Sequence, residues 1–296
     1  MFSGQGAQYA GMGINLRRHP AGRQTFKEAD SALGIDITRI CCEADDSELA
    51  GTEITQPAIT TCDIAAFRIL NADPQAANPS AVAGLSVGEY SALVAGKVLD
   101  FADALKLVRE RGRLMAEAAV ANPGTMVAIL GLDGAVVESI CQEASSSGVV
   151  GPANYNCPGQ VVISGEEKAV QHAAELAEKA GAKKCIALKV SGAFHSPLMK
   201  SAELGLRKAL NGIRLLKPEI PFVANVTGDY VEEPEEIKQM LALQLSNPIR
   251  WEASMRRMVD DGITDFVEVG PGKVLAGLMR RIHRGAKISS TDNLIE

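Results

Sequence analysis

A serine between two glycines, in GLSVGEYSAL at residues 84–93, is the clearest candidate for chemistry in this sequence. The pattern G-x-S-x-G around Ser86 follows a short apolar run, AVAGL, and precedes a stretch that is typical of a helix. A tight turn between strand and helix exposes the serine hydroxyl and aims main-chain N–H groups, first that of Val87, at a developing oxyanion. The pattern is short enough to occur by chance, but this context favours a nucleophile over a structural serine.

A serine nucleophile needs a general base, and the chain contains four histidines. His195, in SGAFHSPL, follows a predicted strand and precedes a proline and a helix, which is where the sites of α/β proteins collect. The other three lie in a polar loop, a charged helix and a basic segment: His19, His172 and His283. We therefore predict His195 as the base, with a buried structural histidine as the alternative.

A third, acidic member of a catalytic triad is not evident. A hydrolase of the nucleophile-elbow type carries its acid between the serine and the histidine. The candidates there are Asp133, Glu138 and Glu143, all within a presumed insertion, and none stands out. A Ser–His dyad whose histidine is oriented by a carbonyl oxygen is the simpler prediction.

The segments that must position these residues alternate between helix and strand. A helix is predicted over 56–71 with Pro57 in its first turn, and AVAGL is a candidate buried parallel strand. Asp100 or Asp103 is expected to cap a helix over 101–119. That helix carries three arginines in its second half: Arg109, Arg111 and Arg113.

The middle of the chain has a different order of elements. Residues 122–191 read as β-α-β-β-α-β, the split arrangement of a ferredoxin-like unit. The chain then returns to mixed helices and strands up to residue 296. We predict an α/β protein in which 1–121 and 192–296 form one large subdomain and 122–191 form a small inserted one.

Composition and charge exclude several classes of protein. The 296 residues are 46% hydrophobic and carry a net charge of −6, so a general affinity for nucleic acid or anionic membranes is not expected. The start MFSGQGAQ has neither the basic nor the apolar region of a signal peptide, and the apolar runs are too short to span a bilayer. The six cysteines have no metal-binding spacing and are typical of reduced thiols. We predict a cytoplasmic protein without a metal site.

Seven short motifs follow one another along the chain. They are GQGAQ at 4–8, GLSVGEYSALVAG at 84–96, RGRLM at 111–115, NCPGQVVISG at 156–165, GAFHSPLM at 192–199, QLSNPIRW at 244–251 and EVGPGKVLAGL at 268–278. This order resembles that of malonyl-CoA:acyl carrier protein transacylases and of the acyltransferase domains of polyketide and fatty acid synthases. The resemblance covers nearly the whole chain. It implies an α/β-hydrolase-like core with a parallel sheet and a ferredoxin-like insertion, in agreement with the order of elements.

The resemblance also implies a mechanism. Ser86 would attack the thioester of malonyl-CoA with His195 as general base, and the acceptor would be the phosphopantetheine thiol of an acyl carrier protein. The main-chain N–H groups of Gln5 and Val87 would form the oxyanion hole. Gln244 matches the position whose carbonyl orients the histidine, which fits the missing acid. No tightly bound cofactor is implied.

Acyl-group selection is implied for two further residues. Arg111 matches the arginine that holds the free carboxylate of malonate, a task that suits a planar, bidentate guanidinium. Phe194 stands where phenylalanine accompanies malonyl and serine accompanies methylmalonyl in the related synthase domains. A wall of this kind gives a preference of only about 1–3 kcal/mol. Apolar Val87 points in the same direction.

The implied partner is an acyl carrier protein, which is generally acidic. A basic docking patch is therefore expected on this otherwise acidic chain, which we expect to act as a monomer. The candidates lie near the end of the sequence: Arg280, Arg281, Arg284 and Lys287. A solvated helix end is the alternative for each of them taken singly.

Two positions depart from the family pattern. Leu85 stands where many members have histidine before the nucleophile, and only Met1 and Phe2 precede Ser3 where members usually have a full apolar strand. Either the sheet has only part of that strand, or the sequence starts late. The alternatives to a malonyltransferase of fatty acid synthesis are a discrete polyketide-synthase acyltransferase, a serine thioesterase or hydrolase, and a non-catalytic module that docks carrier proteins.

Overall fold

The computed structural model describes residues 1–74, 76 and 78–293. The end of the predicted large subdomain, 294–296, lies outside the described residues. The helices in the described part are α1 (Pro20–Leu33), α2 (Ile37–Glu43), α3 (Thr52–Asn71), α4 (Gly88–Ala95), α5 (Phe101–Ala121), α6 (Gly134–Ala144), α7 (Glu167–Lys179), α8 (Lys200–Asn211), α9 (Pro234–Leu243), α10 (Trp251–Asp260) and α11 (Val274–Ile282). The strands there are β1 (Thr125–Leu130), β2 (Val150–Cys157), β3 (Gln160–Gly165), β4 (Lys184–Ala187), β5 (Val223–Ala224), β6 (Asp229–Tyr230), β7 (Asp265–Glu268) and β8 (Lys287–Ser290).

The central layer consists of short extended segments that run parallel to one another. Strand β7 pairs with β8 in parallel, and Phe2 forms parallel bridges to Gly84 and Val269 on its two sides. Val82 forms a further parallel bridge to Phe222, next to β5. The apolar run AVAGL thus lies in this layer, as its composition predicts for a buried parallel segment.

The two residues before Ser3 are paired on both sides. The main-chain N–H of Phe2 donates to the carbonyl of Ala83 over 2.9 Å, and that of Val269 donates to the carbonyl of Met1 over 2.8 Å. Residues 1 and 2 thus occupy the position between the segment before Ser86 and the segment after β7. These hydrogen bonds join the chain just before the GQG loop to the sheet.

The second sheet is antiparallel and is formed by the chain between α5 and residue 192. Its strand order is β2-β3-β1-β4, with Val127 opposite Ile163 on one side and Ala128 opposite Ile186 on the other. Helices α6 and α7 pack together and contact its strands. The order β-α-β-β-α-β along the chain is the one expected from the sequence.

Helix α3 corrects one sequence prediction. It begins at Thr52 after Gly51, so Pro57 lies inside the helix and not in its first turn. Proline at this point removes only the hydrogen bond that would reach back to the carbonyl of Glu53, close to the helix start. Helix α3 is buried along most of its length and packs against α4 and α5. Helix α5 is capped by Asp100, whose side chain accepts from Ala102.

The state of the cysteines and the character of the helices bear on disulfide bonding and on membrane insertion. All six cysteines are free thiols, and only Cys185 is partly exposed. In the described part of the chain, none of the helices combines the length and the apolar character needed to cross a bilayer.

Candidate active site

The turn that carries Ser86 is strained and closely packed. Ser86 has φ of +54°, a left-handed conformation that non-glycine residues rarely adopt. A Cβ at Gly84 would lie 1.9 Å from the carbonyl oxygen of Gly88, and a Cβ at Gly88 would lie 2.5 Å from that of Phe2. Both glycines of G-x-S-x-G are therefore required by close main-chain approaches. Asn225 ties the turn together, because its side chain accepts from the N–H of Ser86 over 2.8 Å and donates to Gly84 over 2.7 Å.

His195 lies directly beside the serine. Its Nε2 is 2.9 Å from Ser86 Oγ, and its Nδ1 is 2.7 Å from the main-chain oxygen of Gln244. A carbonyl oxygen can only accept, so Nδ1 carries the proton and Nε2 is free to accept from the serine hydroxyl. His195 also has a left-handed φ of +57°. Burial, and secondarily the charge of Arg111, lower the pKa of His195 to about 3.

Arg111 reaches the same serine from helix α5. Its side chain is buried, with only 1% of the residue exposed, and Nη2 donates to Ser86 Oγ over 3.0 Å. Nη1 donates to Gln56 Oε1 over 2.7 Å, and Nη2 donates to Gln244 Oε1 over 2.6 Å. The guanidinium also lies over the ring of Tyr90, 5.9 Å from its centroid. An imidazole and a buried guanidinium therefore both contact the hydroxyl oxygen of Ser86.

The two other arginines of α5 point elsewhere. Arg109 donates to the carbonyl of Leu33 over 3.0 Å, and Arg113 forms exposed ion pairs with Glu110 and Glu117 of its own helix. Spacing along the sequence does not distinguish the three arginines. The face of the helix that each occupies in the folded chain does.

Three polar residues of the site were missed by the sequence analysis: Gln56, Glu89 and Asn225. Glu89 follows the G-x-S-x-G turn, is only 1% exposed and accepts from the main-chain N–H of Asn225 and from Nε2 of Gln244. Burial raises the pKa of Glu89, while these two donors and the charge of Arg111 oppose that shift. Asn225 directly follows the apolar run IPFVA at 220–224, and a polar residue after such a run was the available signal. Gln56 and Glu89 give no comparable signal.

The proposed oxyanion donors lie next to the turn. A Cβ at Gly4 would be 2.5 Å from the carbonyl oxygen of Leu85, so the loop that carries Gln5 packs directly on the turn. The Gln5 side chain donates to Thr52 over 3.4 Å. Among the described residues, no acceptor is found for the main-chain N–H of Gln5 or of Val87. Val87 immediately precedes α4, where main-chain N–H groups lack partners within the helix.

The remaining predicted residues are placed as follows. Phe194 and Val87 are both buried, and Phe194 adjoins His195 in the chain. The four basic candidates for docking have exposed side chains outside this cluster: Arg280, Arg281, Arg284 and Lys287. Arg281 donates to Gln160 and to the carbonyl of Pro158, and Lys287 lies 3.6 Å from Asp265.

None of the acidic candidates for a triad is bonded to His195. Glu138 instead accepts from the hydroxyl of Tyr155 over 2.5 Å. The carbonyl of Gln244 occupies the place beside Nδ1 that a triad acid would take. In the described part of the chain, no three His, Cys, Asp or Glu side chains are grouped so that they could hold a metal ion.

These contacts define the site as a serine–histidine pair on a nucleophile elbow, with a buried arginine beside the nucleophile. Comparison with known proteins agrees with that class, because a family model described as "Acyl transferase domain" matches residues 1–293. The chain belongs to this acyl transferase family.

Individual relatives are similar over almost their whole length. The malonyl CoA-acyl carrier protein transacylase of Bacillus subtilis is 42% identical over 289 residues, which are 97% of this chain and 90% of that protein. The crystal structure of the acyl-carrier-protein S-malonyltransferase from Burkholderia pseudomallei has a TM-score of 0.95 at 40% identity and covers 99% of this chain and 97% of its own. A structure of a type II PKS acyl-carrier protein in complex with its malonyl-transacylase, PlMCAT:AntF, has a TM-score of 0.93 at 40% identity. The match covers 98% of this chain and 93% of that chain.

Proposed function

We propose that this chain transfers a malonyl group from malonyl-CoA to the phosphopantetheine thiol of an acyl carrier protein, as a step of fatty acid biosynthesis. One observation carries the proposal. Ser86 Oγ lies 2.9 Å from His195 Nε2 and 3.0 Å from Arg111 Nη2, so a serine nucleophile, its base and a cation for a free carboxylate meet at one point. The names of the relatives in Bacillus subtilis and Burkholderia pseudomallei support the choice of donor and acceptor.

The first half-reaction forms a malonyl ester on Ser86. His195 Nε2 takes the hydroxyl proton while Oγ attacks the thioester carbon, and the N–H groups of Gln5 and Val87 stabilise the oxyanion. When the intermediate collapses, the carbon–sulfur bond breaks and CoA leaves as a thiol with the proton from His195. The carbonyl of Gln244, 2.7 Å from Nδ1, holds the ring in the required tautomer and stabilises the transient imidazolium.

The second half-reaction reverses the roles of sulfur and oxygen. The phosphopantetheine thiol gives its proton to His195 Nε2, and its sulfur attacks the ester carbon. The bond from that carbon to Ser86 Oγ breaks, and Oγ recovers the proton from His195. Donor and acceptor use the same site in turn, so the kinetics are of the ping-pong type.

Arg111 and Phe194 select the acyl group in this proposal. The free carboxylate of malonate takes up the guanidinium of Arg111, which is buried and has Gln56 and Gln244 as neutral acceptors. An acetyl group leaves that buried charge without an ionic partner, which disfavours acetyl-CoA as a donor. Buried Phe194 limits the room for a branched methylmalonyl group.

The fold and the partners complete the proposal. We infer an α/β-hydrolase-like core formed by 1–121 and 192–296, with a ferredoxin-like unit at 122–191; the antiparallel strand order β2-β3-β1-β4 supports the latter. The chain acts in the cytoplasm as a monomer, without a tightly bound cofactor. It does not bind membranes or nucleic acid. The carrier protein docks on the basic residues near the end of the chain, namely Arg280, Arg281, Arg284 and Lys287.

Intact-protein mass spectrometry after brief mixing with malonyl-CoA tests this function. We expect a single malonyl adduct that disappears in Ser86→Ala and persists in Ser91→Ala, which removes the other serine of the same stretch. An adduct that survives Ser86→Ala would contradict the mechanism. Rapid release of free malonate without a carrier protein would instead indicate a hydrolase, and a chain that is never acylated would indicate a docking module.

A further inference from the structure

Glu89 is a buried acid that the proposed mechanism does not use. It lies at the start of α4, three residues after the nucleophile, and both of its carboxylate oxygens face N–H donors. One donor is the main-chain N–H of Asn225, and the other is Nε2 of Gln244. No acceptor faces these oxygens among the described residues, so a carboxylate, which only accepts, fits the contacts.

These contacts fix the orientation of one side-chain amide. Because Nε2 of Gln244 donates to Glu89, and also to the carbonyl of Ser86 over 3.0 Å, Oε1 must face the other way. On that side it accepts from Nη2 of Arg111 over 2.6 Å. The amide therefore connects the buried acid to the buried cation, and its two ends cannot be exchanged while Glu89 is a carboxylate.

We propose that Glu89 is a positioning residue that sets the preference for acyl groups with a free carboxylate, by orienting the Gln244 amide toward Arg111. This inference rests on the proposed malonyl transfer and adds a residue that determines its specificity. With Oε1 turned toward Arg111, one side of Nη2 is held and the guanidinium presents a fixed edge to a carboxylate. If the amide turned round, an NH2 group would face Nη2, and the arginine would lose that support.

The substitution Glu89→Gln tests the orientation of the Gln244 amide without changing the size of the side chain at position 89. Glu89→Gln keeps the length and shape of the side chain but replaces one acceptor by an NH2 group. That group must face either the N–H of Asn225 or Nε2 of Gln244, both of which are donors. The main-chain N–H of Asn225 cannot turn, whereas the Gln244 amide can, so the NH2 group is expected to face Gln244. The Gln244 amide then flips or moves away, and Oε1 no longer meets Arg111.

The test is the ratio of two acylation rates in the same protein. Ser86 acylation by malonyl-CoA and by acetyl-CoA is followed by mass spectrometry near pH 9, above the pKa of about 8 that burial gives Glu89, so that its carboxylate form prevails. We expect Glu89→Gln to lower the malonyl-to-acetyl ratio by about tenfold or more, in the range for losing a hydrogen bond to a charged group. Loss of folded protein alone reduces both rates equally and leaves the ratio unchanged.

Glu268→Gln is the matched control. Glu268 is also buried and accepts two N–H groups, those of Leu275 and Ala276, but these lie at the start of α11. We expect it to lose stability and to keep the wild-type ratio. Arg111→Ala gives the reference value for a site without the cation.

The outcomes separate the inference from the function on which it rests. A Glu89→Gln protein that keeps the wild-type ratio within about twofold overturns the inference, whereas a wild-type chain that forms no malonyl adduct overturns the proposed function. If Glu89→Gln does not fold, Glu89→Asp replaces it. Aspartate keeps both acceptors on a shorter side chain, so we expect a ratio between those of the wild type and Arg111→Ala; the wild-type ratio would again overturn the inference.

Discussion

Gln244 is the residue that joins the parts of the site. Its main-chain oxygen accepts from His195, its Oε1 accepts from Arg111, and its Nε2 donates to Ser86 and Glu89. One residue at the end of α9 thus sets the tautomer of the base and the position of the cation. A substitution that kept the main chain in place would leave the hydrogen bond to His195 intact and would remove the side-chain bonds to Arg111, Ser86 and Glu89.

The acid–base behaviour of His195 follows from its surroundings. Burial and the charge of Arg111 favour the neutral ring, so its pKa falls from 6.5 to about 3. We expect kcat/KM for Ser86 acylation by acetyl-CoA, which does not use the Arg111 contact, to stay nearly flat from about pH 7.5 to 5, where an unperturbed histidine would be only ~3% neutral. Initial rates over that range, corrected for ionisation of the substrate, provide the measurement.

Arg111→Ala is the informative comparison, because removing the positive charge should raise the pKa of His195 and move the acid limb of the profile upward. An inflection near pH 6.5 in the wild type would contradict the prediction.

The lowered pKa of His195 also links folding to pH, because below pH 6.5 the unfolded chain binds a proton that the folded chain does not bind. His195 therefore reduces stability progressively as the pH falls from 6.5 toward 3.

Some of the site residues could be predicted from sequence and others could not. Ser86 and His195 were predicted from their own sequence context, whereas Arg111 and Gln244 were predicted only from the resemblance to the family. Glu89 and Gln56 were not predicted, because a glutamate or glutamine in a helix is usually solvated, and only the tertiary contacts show that they are buried against Gln244 and Arg111.

At the level of elements, the elbow depends on the absence of side chains. The carbonyl of Gly88 fills the space where a Cβ of Gly84 would lie, and the main chain of Phe2 fills that of Gly88. The N-terminal segment, the turn and α4 are therefore in main-chain contact. This contact also places the Gln5 loop beside the nucleophile.

Gly84→Ala should be strongly destabilising, because the added Cβ would lie 1.9 Å from main-chain atoms that cannot move independently. We expect a loss of at least about 3 kcal/mol in the free energy of unfolding, measured by urea denaturation. Gly277→Ala, in the exposed middle of α11 with open space around it, is the control. It should stabilise the chain by about 0.5–1 kcal/mol. Equal effects of the two changes would contradict the packing argument.

Some helices and strands could likewise be predicted from the local sequence, whereas others depend on contacts between distant parts of the chain. The segments of the small sheet were predicted from short apolar runs, and the start of helix α5 from its capping aspartate. The start of α3 was misplaced because proline is favoured in a first turn, whereas the packing of α3 against α5 extends the helix past that position. Apart from the pair β7–β8, the described central layer is joined by single parallel bridges, and no local sequence pattern predicts which segments they pair.

At the level of the whole molecule, the inserted sheet is attached beside the site. The N–H of Tyr155 on β2 donates to the carbonyl of Ile249 over 2.8 Å, and the N–H of Ile249 donates to Ala153 over 2.8 Å. Arg281 adds a second link from α11 to Gln160 on β3. The segment that begins with Gln244 is thus tied to the small sheet, which fixes the two sheets relative to the nucleophile.

The proposed carrier docking predicts different salt dependences for the two half-reactions. Arg281 and Lys287 already have protein partners, so Arg280 and Arg284 are the better test of the patch. We expect Arg280→Ala with Arg284→Ala to reduce kcat/KM for the carrier protein several-fold and to weaken its decline with salt, because exposed charges are screened beyond about 10 Å at 0.1 M. Acylation by malonyl-CoA should change little.

Arg214→Ala, which removes one exposed arginine from the segment after α8, controls for the loss of one positive charge and is compared with Arg284→Ala alone. Stopped-flow or quenched assays of each half-reaction at several salt concentrations supply the data. Equal salt sensitivity of both half-reactions, or an equal effect of Arg214→Ala, would place the docking surface elsewhere.

The left-handed backbone conformations of Ser86 and His195 lower the stability of the folded chain at the two residues that the proposed chemistry uses. Glycine adopts this part of backbone space without the penalty that other residues bear, about 1–2 kcal/mol at each position. Glycine at either position would relieve this backbone strain, but it would also remove a buried side chain and its hydrogen bonds. The fold therefore holds two unfavourable backbone conformations at residues whose side chains the proposed chemistry uses, and glycine cannot relax either one without the loss of such a side chain.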